Sequence, residues 1–235
     1  MSSLITTSTV SDGNMAYVWG EKEEVLKNRK KFLKKNNIKI EDCIFTHLTH
    51  GIAIEVVGEK DKGRIVKADA LITLEKNMAL WISTGDCLPA VFFDAKKEIL
   101  GLVHLGWKGV DKKLADKVAK KFINLGSDPG DIFVWIGPGV RKETYWKYGR
   151  GVEDFLNQVD VDVWKNFVEK KPNDELALDL VGYVKQQLTK NGILLKNIEV
   201  SPVDTVLDKN YFSQFRSNKL NEPQGRFATV AMMRV

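Results

Sequence analysis

Histidine and cysteine are scarce in this chain of 235 residues, which holds only 3 of the first and 2 of the second. So few imidazoles and thiols leave little with which to coordinate a metal or carry out nucleophilic chemistry. Cys43 and Cys87 do not make a disulfide framework. No apolar run is long enough to span a bilayer. The opening stretch, Met1 to Ser8, lacks the basic and apolar regions of a secretion signal. A reducing, cytoplasmic setting without a membrane is therefore expected. Proline is sparse, with 6 residues. No Pro/Ser linker, composition break or fixed-period repeat divides the chain, which predicts one domain over residues 1–235.

The net charge of +5 does not point to nucleic acid. Lys112, Lys113, Lys117, Lys120 and Lys121 share a segment with Leu114, Ala115, Val118 and Phe122 at helical spacing, which is the pattern of a solvated helix face. Basic residues are not interleaved with aromatics as in single-strand binders. A modest positive field suits an anionic small-molecule substrate.

Periodicity predicts a helix over Glu21–Lys35, with acids at its start and lysines at its end. Strand-like runs follow at Cys43–Leu48, Ile52–Val57, Ala70–Leu74, Ala79–Ser83, Ala90–Phe93 and Ile99–His104. Several are apolar throughout, as in strands covered on both faces. A helix is expected from Asp111, as its N-cap, to just before Gly126. Ile132–Ile136, Ile198–Ser201 and Phe227–Met233 are further expected strands, and Gly151–Val159 and Leu180–Asn191 further helices. Thr205–Arg226 is polar and patternless, and such long loops often carry function. The sum is a mixed α/β or α+β domain with helices outside.

Two of the histidines and one cysteine fall in turn sequences: Thr49-His50-Gly51, Gly85-Asp86-Cys87-Leu88-Pro89 and His104-Leu105-Gly106-Trp107-Lys108-Gly109. Pro89 forces extended geometry on Leu88, and Gly51 is expected to permit a tight reversal. Two imidazoles and a thiolate suit zinc with one open position, although this spacing matches no zinc finger. Cys43 and His47 lie within an apolar strand and are expected to be core or strand residues rather than ligands. Trp107 is placed either to wall a pocket or to pack.

Thr84-Gly85-Asp86-Cys87-Leu88-Pro89 followed by His104-Leu105-Gly106-Trp107-Lys108-Gly109 resembles the laccase-domain, or multicopper polyphenol oxidase, family. That family's pattern is Thr-Ala-Asp-Cys-Leu-Pro and then His-Ala-Gly-Trp-Arg-Gly. Asn28-Arg29, His50-Gly51, Asp69-Ala70-Leu71, Ile136-Gly137-Pro138 with Tyr145, Phe212-Ser213 and Gly225-Arg226 match in order, so the likeness covers most of the chain from Asn28 onward. The chain departs from the pattern at Lys108, where the family has arginine, at Ser201-Pro202 and at Phe215-Arg216.

The resemblance implies a four-layer α/β/β/α sandwich with mixed sheets, and His50, Cys87 and His104 as ligands of a zinc ion. It also implies a purine nucleoside phosphorylase with adenosine deaminase activity, whose partners are a small-molecule nucleoside and phosphate. Within it Asp86 is the expected proton shuttle, with a turn-capping carboxylate as the alternative. Arg29, Lys108 and Arg216 are the candidate phosphate holders. The usual deaminase signature with His-x-Glu and Pro-Cys-x-x-Cys is absent.

Three classes compete with this one. A single copper suits the same ligands, although three histidines cannot assemble a multicopper cluster in one chain. A Cys/His hydrolase of the kind linked to peptidoglycan precursor editing would use Cys87 as nucleophile and His104 or His50 as base. A non-catalytic binding domain is the third, with no specific protein partner indicated.

Overall fold

Alternation of side chains along the strands sorts the apolar residues into three layers. The computed structural model describes residues 2–234. The chain runs β1 (Ser2–Thr7), α1 (Lys22–Lys35), β2 (Cys43–His47), β3 (Ile54–Val56), β4 (Ile65–Lys67), β5 (Ala70–Thr73), β6 (Ala79–Thr84), β7 (Leu88–Asp94), β8 (Ile99–Leu105), α2 (Trp107–Asp111) and α3 (Leu114–Asn124). It continues β9 (Phe133–Ile136), β10 (Trp146–Lys147), α4 (Arg150–Leu156), α5 (Val161–Trp164), β11 (Val168–Lys170), β12 (Leu176–Leu178), α6 (Leu180–Lys190), β13 (Ile198–Val200), α7 (Gln214–Leu220) and β14 (Phe227–Arg234).

Two mixed sheets stack face to face. One has the order β1-β14-β6-β2-β4 and the other β13-β9-β7-β8-β5-β3. Leu80 and Ile82 of β6 and Ala231 and Met233 of β14 meet Val91 and Phe93 of β7 and Leu100 and Leu102 of β8 between them. The intervening residues point outward. Ala79, Trp81, Ala228 and Val230 pack beneath Phe32 and Leu33 of α1. Ala90, Phe92, Val103 and Leu105 pack beneath α3 and α6, through Val118, Phe122, Val184 and Leu188. Burial on both faces is why these strands read as continuous apolar runs, and the result is an α/β/β/α sandwich. A small sheet, β10-β12-β11, projects beside the main pair. Among the described residues no helix is long and apolar enough to cross a membrane.

Several boundaries differ from the sequence expectation. A helix, α2, already starts at Trp107, directly after Gly106. Asp111 is not an N-cap: it ends α2, and its Oδ1 accepts from Trp164 Nε1 at 2.8 Å. The next helix is entered through Lys113 in the left-handed region at φ 60°. The polar stretch 205–226 contains α7, capped by Ser213, whose Oγ accepts from Arg216 N at 3.1 Å. Its buried residues are Arg216 and Ser217, so it carries no apolar stripe to betray it. Strands β1, β4 and β10–β12 are short or Ser/Thr-rich and gave no pattern.

A close approach in β8 makes the helix layer sensitive to volume. A Cβ at Gly101 would lie 3.0 Å from Phe122 Cε2, and the Phe122 ring sits 5.8 Å from that of Phe92. Phe122→Ala is expected to lower the unfolding free energy by about 3–5 kcal/mol, read as a lower urea midpoint with unchanged slope.

Candidate metal centre and its cleft

One buried carboxylate organises two of the three candidate ligands. Asp69 stands just before β5 and is fully buried. Its Oδ1 faces His104 Nδ1 at 3.2 Å and accepts from Thr49 N at 3.2 Å. Its Oδ2 accepts from Gly51 N at 2.9 Å and from Thr49 Oγ1. An ionised Asp69 makes Nδ1 the hydrogen-bearing nitrogen of His104, which frees Nε2 to face Cys87. The same carboxylate clamps the residues on both sides of His50. That residue, not Gly51, takes the left-handed conformation, at φ 54°. The reversal expected at Gly51 is thus made one residue earlier. The rings of His50 and His104 lie 4.9 Å apart, nearly perpendicular.

Cys87 comes from the turn between β6 and β7. Here too the glycine is not the left-handed residue: Asp86 is, at φ 95°. Thr205 Oγ1 donates to Asp86 Oδ1 at 2.8 Å and Phe215 N donates to Oδ2 at 2.7 Å. Asp86, expected from the sequence to move a proton, thus has both oxygens occupied in tying the closing segment to the cysteine turn. Gly106 lets the third element approach, because a Cβ there would be 3.1 Å from Cys87 Sγ and 3.6 Å from His104 Nε2. His50, Cys87 and His104 each offer a ligand atom, and these atoms lie within 4.8 Å of one another. Exposure runs from His50, open to solvent, through half-buried Cys87 to buried His104. His47 ends β2 in an exposed position and is not in this group.

The electrostatics follow from this packing. Burial would raise the Cys87 thiol, but His104 and His50 outweigh it and hold the pKa below the usual thiol range. Burial likewise opposes charge on His104, yet Cys87 and Asp69 push that imidazole above its ordinary value. Asp69 is held well below the usual carboxylate range, since the bonds from His104, Thr49 and Gly51 overcome its burial. Burial raises Asp86. Cys43 behaves as the expected core residue: it is fully buried, and desolvation pushes its thiol up to about 12.

A cleft of about 360 Å³ opens over Cys87, walled by Gly85, Asp86, Tyr145, Lys147, Tyr148 and Phe215 among others. Trp107 is half-buried beside it and packs on Phe155 at 5.4 Å between ring centroids. Lys108 is exposed and outside the cleft lining, with its Nζ 5.5 Å from the Trp107 ring centroid, yet near enough for its charge to act on Lys147 in the cleft. The structure does not bring Arg29 there. Arg29 Nε and Nη2 donate to Met15 O at 2.9 and 2.6 Å, and its guanidinium lies 4.3 Å from the Tyr17 ring, in a separate cavity. Arg216 is also committed elsewhere. It bonds Glu222 at 2.7 Å, Asp208 O at 3.2 Å, Tyr211 O at 2.6 Å and Thr205 O. With four partners from its own segment, it braces residues 205–222.

Three residues of the site carried no role in the sequence. Asp69 showed as part of the Asp69-Ala70-Leu71 segment of the family pattern, but with no role given to it. Lys147 lies in a two-residue strand without pattern. Arg226 touches the cysteine turn, where a Cβ on Gly85 would be 3.0 Å from its Cδ.

Fold and site together define a class: a four-layer sandwich with a His/Cys/His constellation whose cysteine lines an aromatic cleft. The family model described as "Multi-copper polyphenol oxidoreductase laccase" matches residues 5–234, and the chain belongs to that family. It is 28% identical over 214 residues to the purine nucleoside phosphorylase YlmD of Bacillus subtilis (strain 168), covering 86% of this chain and 76% of that protein. The crystal structure of YlmD from Geobacillus stearothermophilus matches with a TM-score of 0.86 at 22% identity, over 99% of this chain and 92% of that one. The hypothetical protein YfiH of Bacillus licheniformis matches with a TM-score of 0.83 at 25% identity, over 94% and 85% of the two chains.

The two thiols are expected to separate sharply in reactivity. In metal-stripped protein, iodoacetamide should label Cys87 at pH values below the ordinary thiol pKa of about 8.5. Labelling should rise with pH through the lowered Cys87 value, and Cys43 should stay unmodified until the protein unfolds. Peptide mass spectrometry across a pH series checks both, and equal labelling of the two would contradict the site geometry.

Proposed function

We propose that this protein cleaves purine nucleosides by phosphorolysis and also deaminates adenosine, using zinc held by His50, Cys87 and His104. The observation that carries this reading is the approach of three ligand atoms to within 4.8 Å of one another, one of them, Cys87, lining a cleft of about 360 Å³. Two imidazoles and one thiolate fit zinc with a position left for a fourth partner. The names of relatives such as Bacillus subtilis YlmD supply the reaction class.

Zinc bound there supplies Lewis acidity, which makes water a usable nucleophile near neutral pH and polarises substrate oxygen. The chain's own residues do the rest. Asp69 fixes the His104 ring and holds the loop that presents His50. Tyr145 and Phe215 line the cleft and offer faces to a purine. Lys108 places a cation at its edge. In phosphorolysis a phosphate oxygen bonds to the anomeric carbon as the bond to the purine nitrogen breaks. The electron pair leaves with the base, which takes up a proton. In deamination water adds at the amino-bearing carbon and ammonia departs.

One observation favours a second reading. Cys87, His104 and Asp69 stand in line as nucleophile, base and orienting carboxylate, the arrangement of a cysteine hydrolase. A chelator separates the two, because it abolishes metal-dependent turnover and leaves a thiol hydrolase active. The same donor set also accepts copper, and elemental analysis of protein purified without added metal identifies the ion.

With inosine and phosphate the protein should release hypoxanthine and ribose phosphate, and from adenosine it should release ammonia. Cys87→Ala should lose both activities together with the bound metal; full activity in that variant refutes the assignment. Asp69→Asn should lower metal affinity by roughly 10–100-fold while the fold persists, measured by competition with a chromogenic chelator.

A further inference from the structure

We propose that Lys147, with Lys108 beside the same Trp107 ring, is the clamp that holds inorganic phosphate beside the candidate metal centre. The inference deepens the phosphorolysis reading and rests on it. Lys147 lines the same cleft as Cys87. Its Nζ donates to Tyr145 Oη at 3.2 Å, and lies 4.8 Å from the Tyr145 ring centroid and 5.2 Å from that of Trp107. Lys108 Nζ approaches the same Trp107 ring at 5.5 Å. Both ammonium groups therefore lie near one indole, close enough for the charge of Lys108 to act on Lys147.

Neither forms an ion pair with a carboxylate among the described residues, unlike two lysines nearby. Lys142 and Lys171 of the same lobe both bond Glu169, at 2.9 and 2.5 Å. The carboxylate in the cleft, Asp86, has its oxygens taken by Thr205 and Phe215. Burial lowers the Lys147 pKa, and the charge of Lys108 lowers it further while that of Cys87 opposes. A half-buried ammonium with no counter-ion, next to the like charge of the exposed Lys108, is costly, and a dianion beside the two relieves the repulsion. Phosphate fits this demand: it is compact, doubly charged and accepts from several donors at once. The phenol of Tyr145 orients the ammonium, and the rings exclude water around it.

Phosphate binding alone tests the clamp without reference to turnover. Equilibrium dialysis of the zinc-loaded full-length protein with inorganic phosphate, at fixed ionic strength, should show a roughly tenfold or greater loss of affinity in Lys147→Met. Lys147→Arg should recover most of it, and Lys142→Met, on the ion-paired lysine, should match wild type. In kinetics, Lys147→Met should raise KM for phosphate and leave KM for the nucleoside near its original value. Unchanged phosphate affinity in Lys147→Met overturns the clamp, and so does an equal loss in Lys142→Met, which would signify general surface charge. If a nucleoside monophosphate competes only through its nucleoside part and Lys147→Met does not alter phosphate affinity, the clamp also fails. The two proposals fail separately. Phosphate bound through Lys147 without phosphorolysis of inosine sustains the clamp and removes the reaction, whereas phosphorolysis with an unaltered phosphate KM in Lys147→Met removes the clamp and leaves the reaction.

Discussion

The site depends on a single buried charge. Asp69 has no exposure and, among the described residues, no ion pair with a lysine or arginine, yet it stays ionised because four donors converge on its two oxygens. Those donors belong to the strand that carries His104 and to the loop that carries His50. One carboxylate thus sets the tautomer of one imidazole and the backbone of the other. The thiol is placed independently, by the β6–β7 turn, and Gly106 keeps a side chain from crowding Cys87 Sγ and His104 Nε2. A carboxylate buried this way stabilises the fold above the ordinary Asp pKa and loses that contribution as pH falls through its depressed value, when protonation removes an acceptor that Thr49, Gly51 and His104 all need.

Layering was legible because it follows from alternation. Leu100 and Leu102 on one face of β8, with Ile99 and Val103 on the other, require cover on both sides, and the lysine-rich segment 114–124 supplies one of the covers. Elements without an apolar period were not legible. Helix α7 buries an arginine and a serine, so its inner face reads as polar, and β10 is too short to have a period. The small sheet that bears Lys147 went unread for that reason, and a wall of the cleft with it.

Within the site, residue type was legible and backbone conformation was not. Glycine beside histidine and glycine before Asp-Cys invite the inference that glycine makes the turn. In both turns the neighbour takes the positive φ instead: His50 at 54° and Asp86 at 95°. Gly51 and Gly85 are needed for room, since Cβ atoms there would meet Thr49 Oγ1 and the Arg226 side chain, each at 3.0 Å. Residues of this kind held at positive φ persist where surrounding bonds over-determine them, and here Asp69 grips one turn while Thr205 and Phe215 grip the other.

Charge alone is a poor guide to which cations meet a substrate. Arg29 and Arg216 are both buried, and burial forces each guanidinium to find acceptors within the chain. Arg29 finds Met15 O and three aromatic rings, and Arg216 finds three carbonyls and Glu222. Held in this way, each guanidinium is tied to its own segment and away from the cleft over Cys87, whose lining includes neither. Lys108 and Lys147 are in the opposite position. Lys147 keeps its ammonium in the cleft against the Tyr145 and Trp107 rings, Lys108 holds its own near Trp107, and neither has an acid against it among the described residues. A cation that serves an anionic substrate must be held in place yet unneutralised. In this fold the aromatic walls of the cleft meet both conditions, since a ring face attracts an ammonium without accepting its hydrogen bonds in the way a carboxylate does.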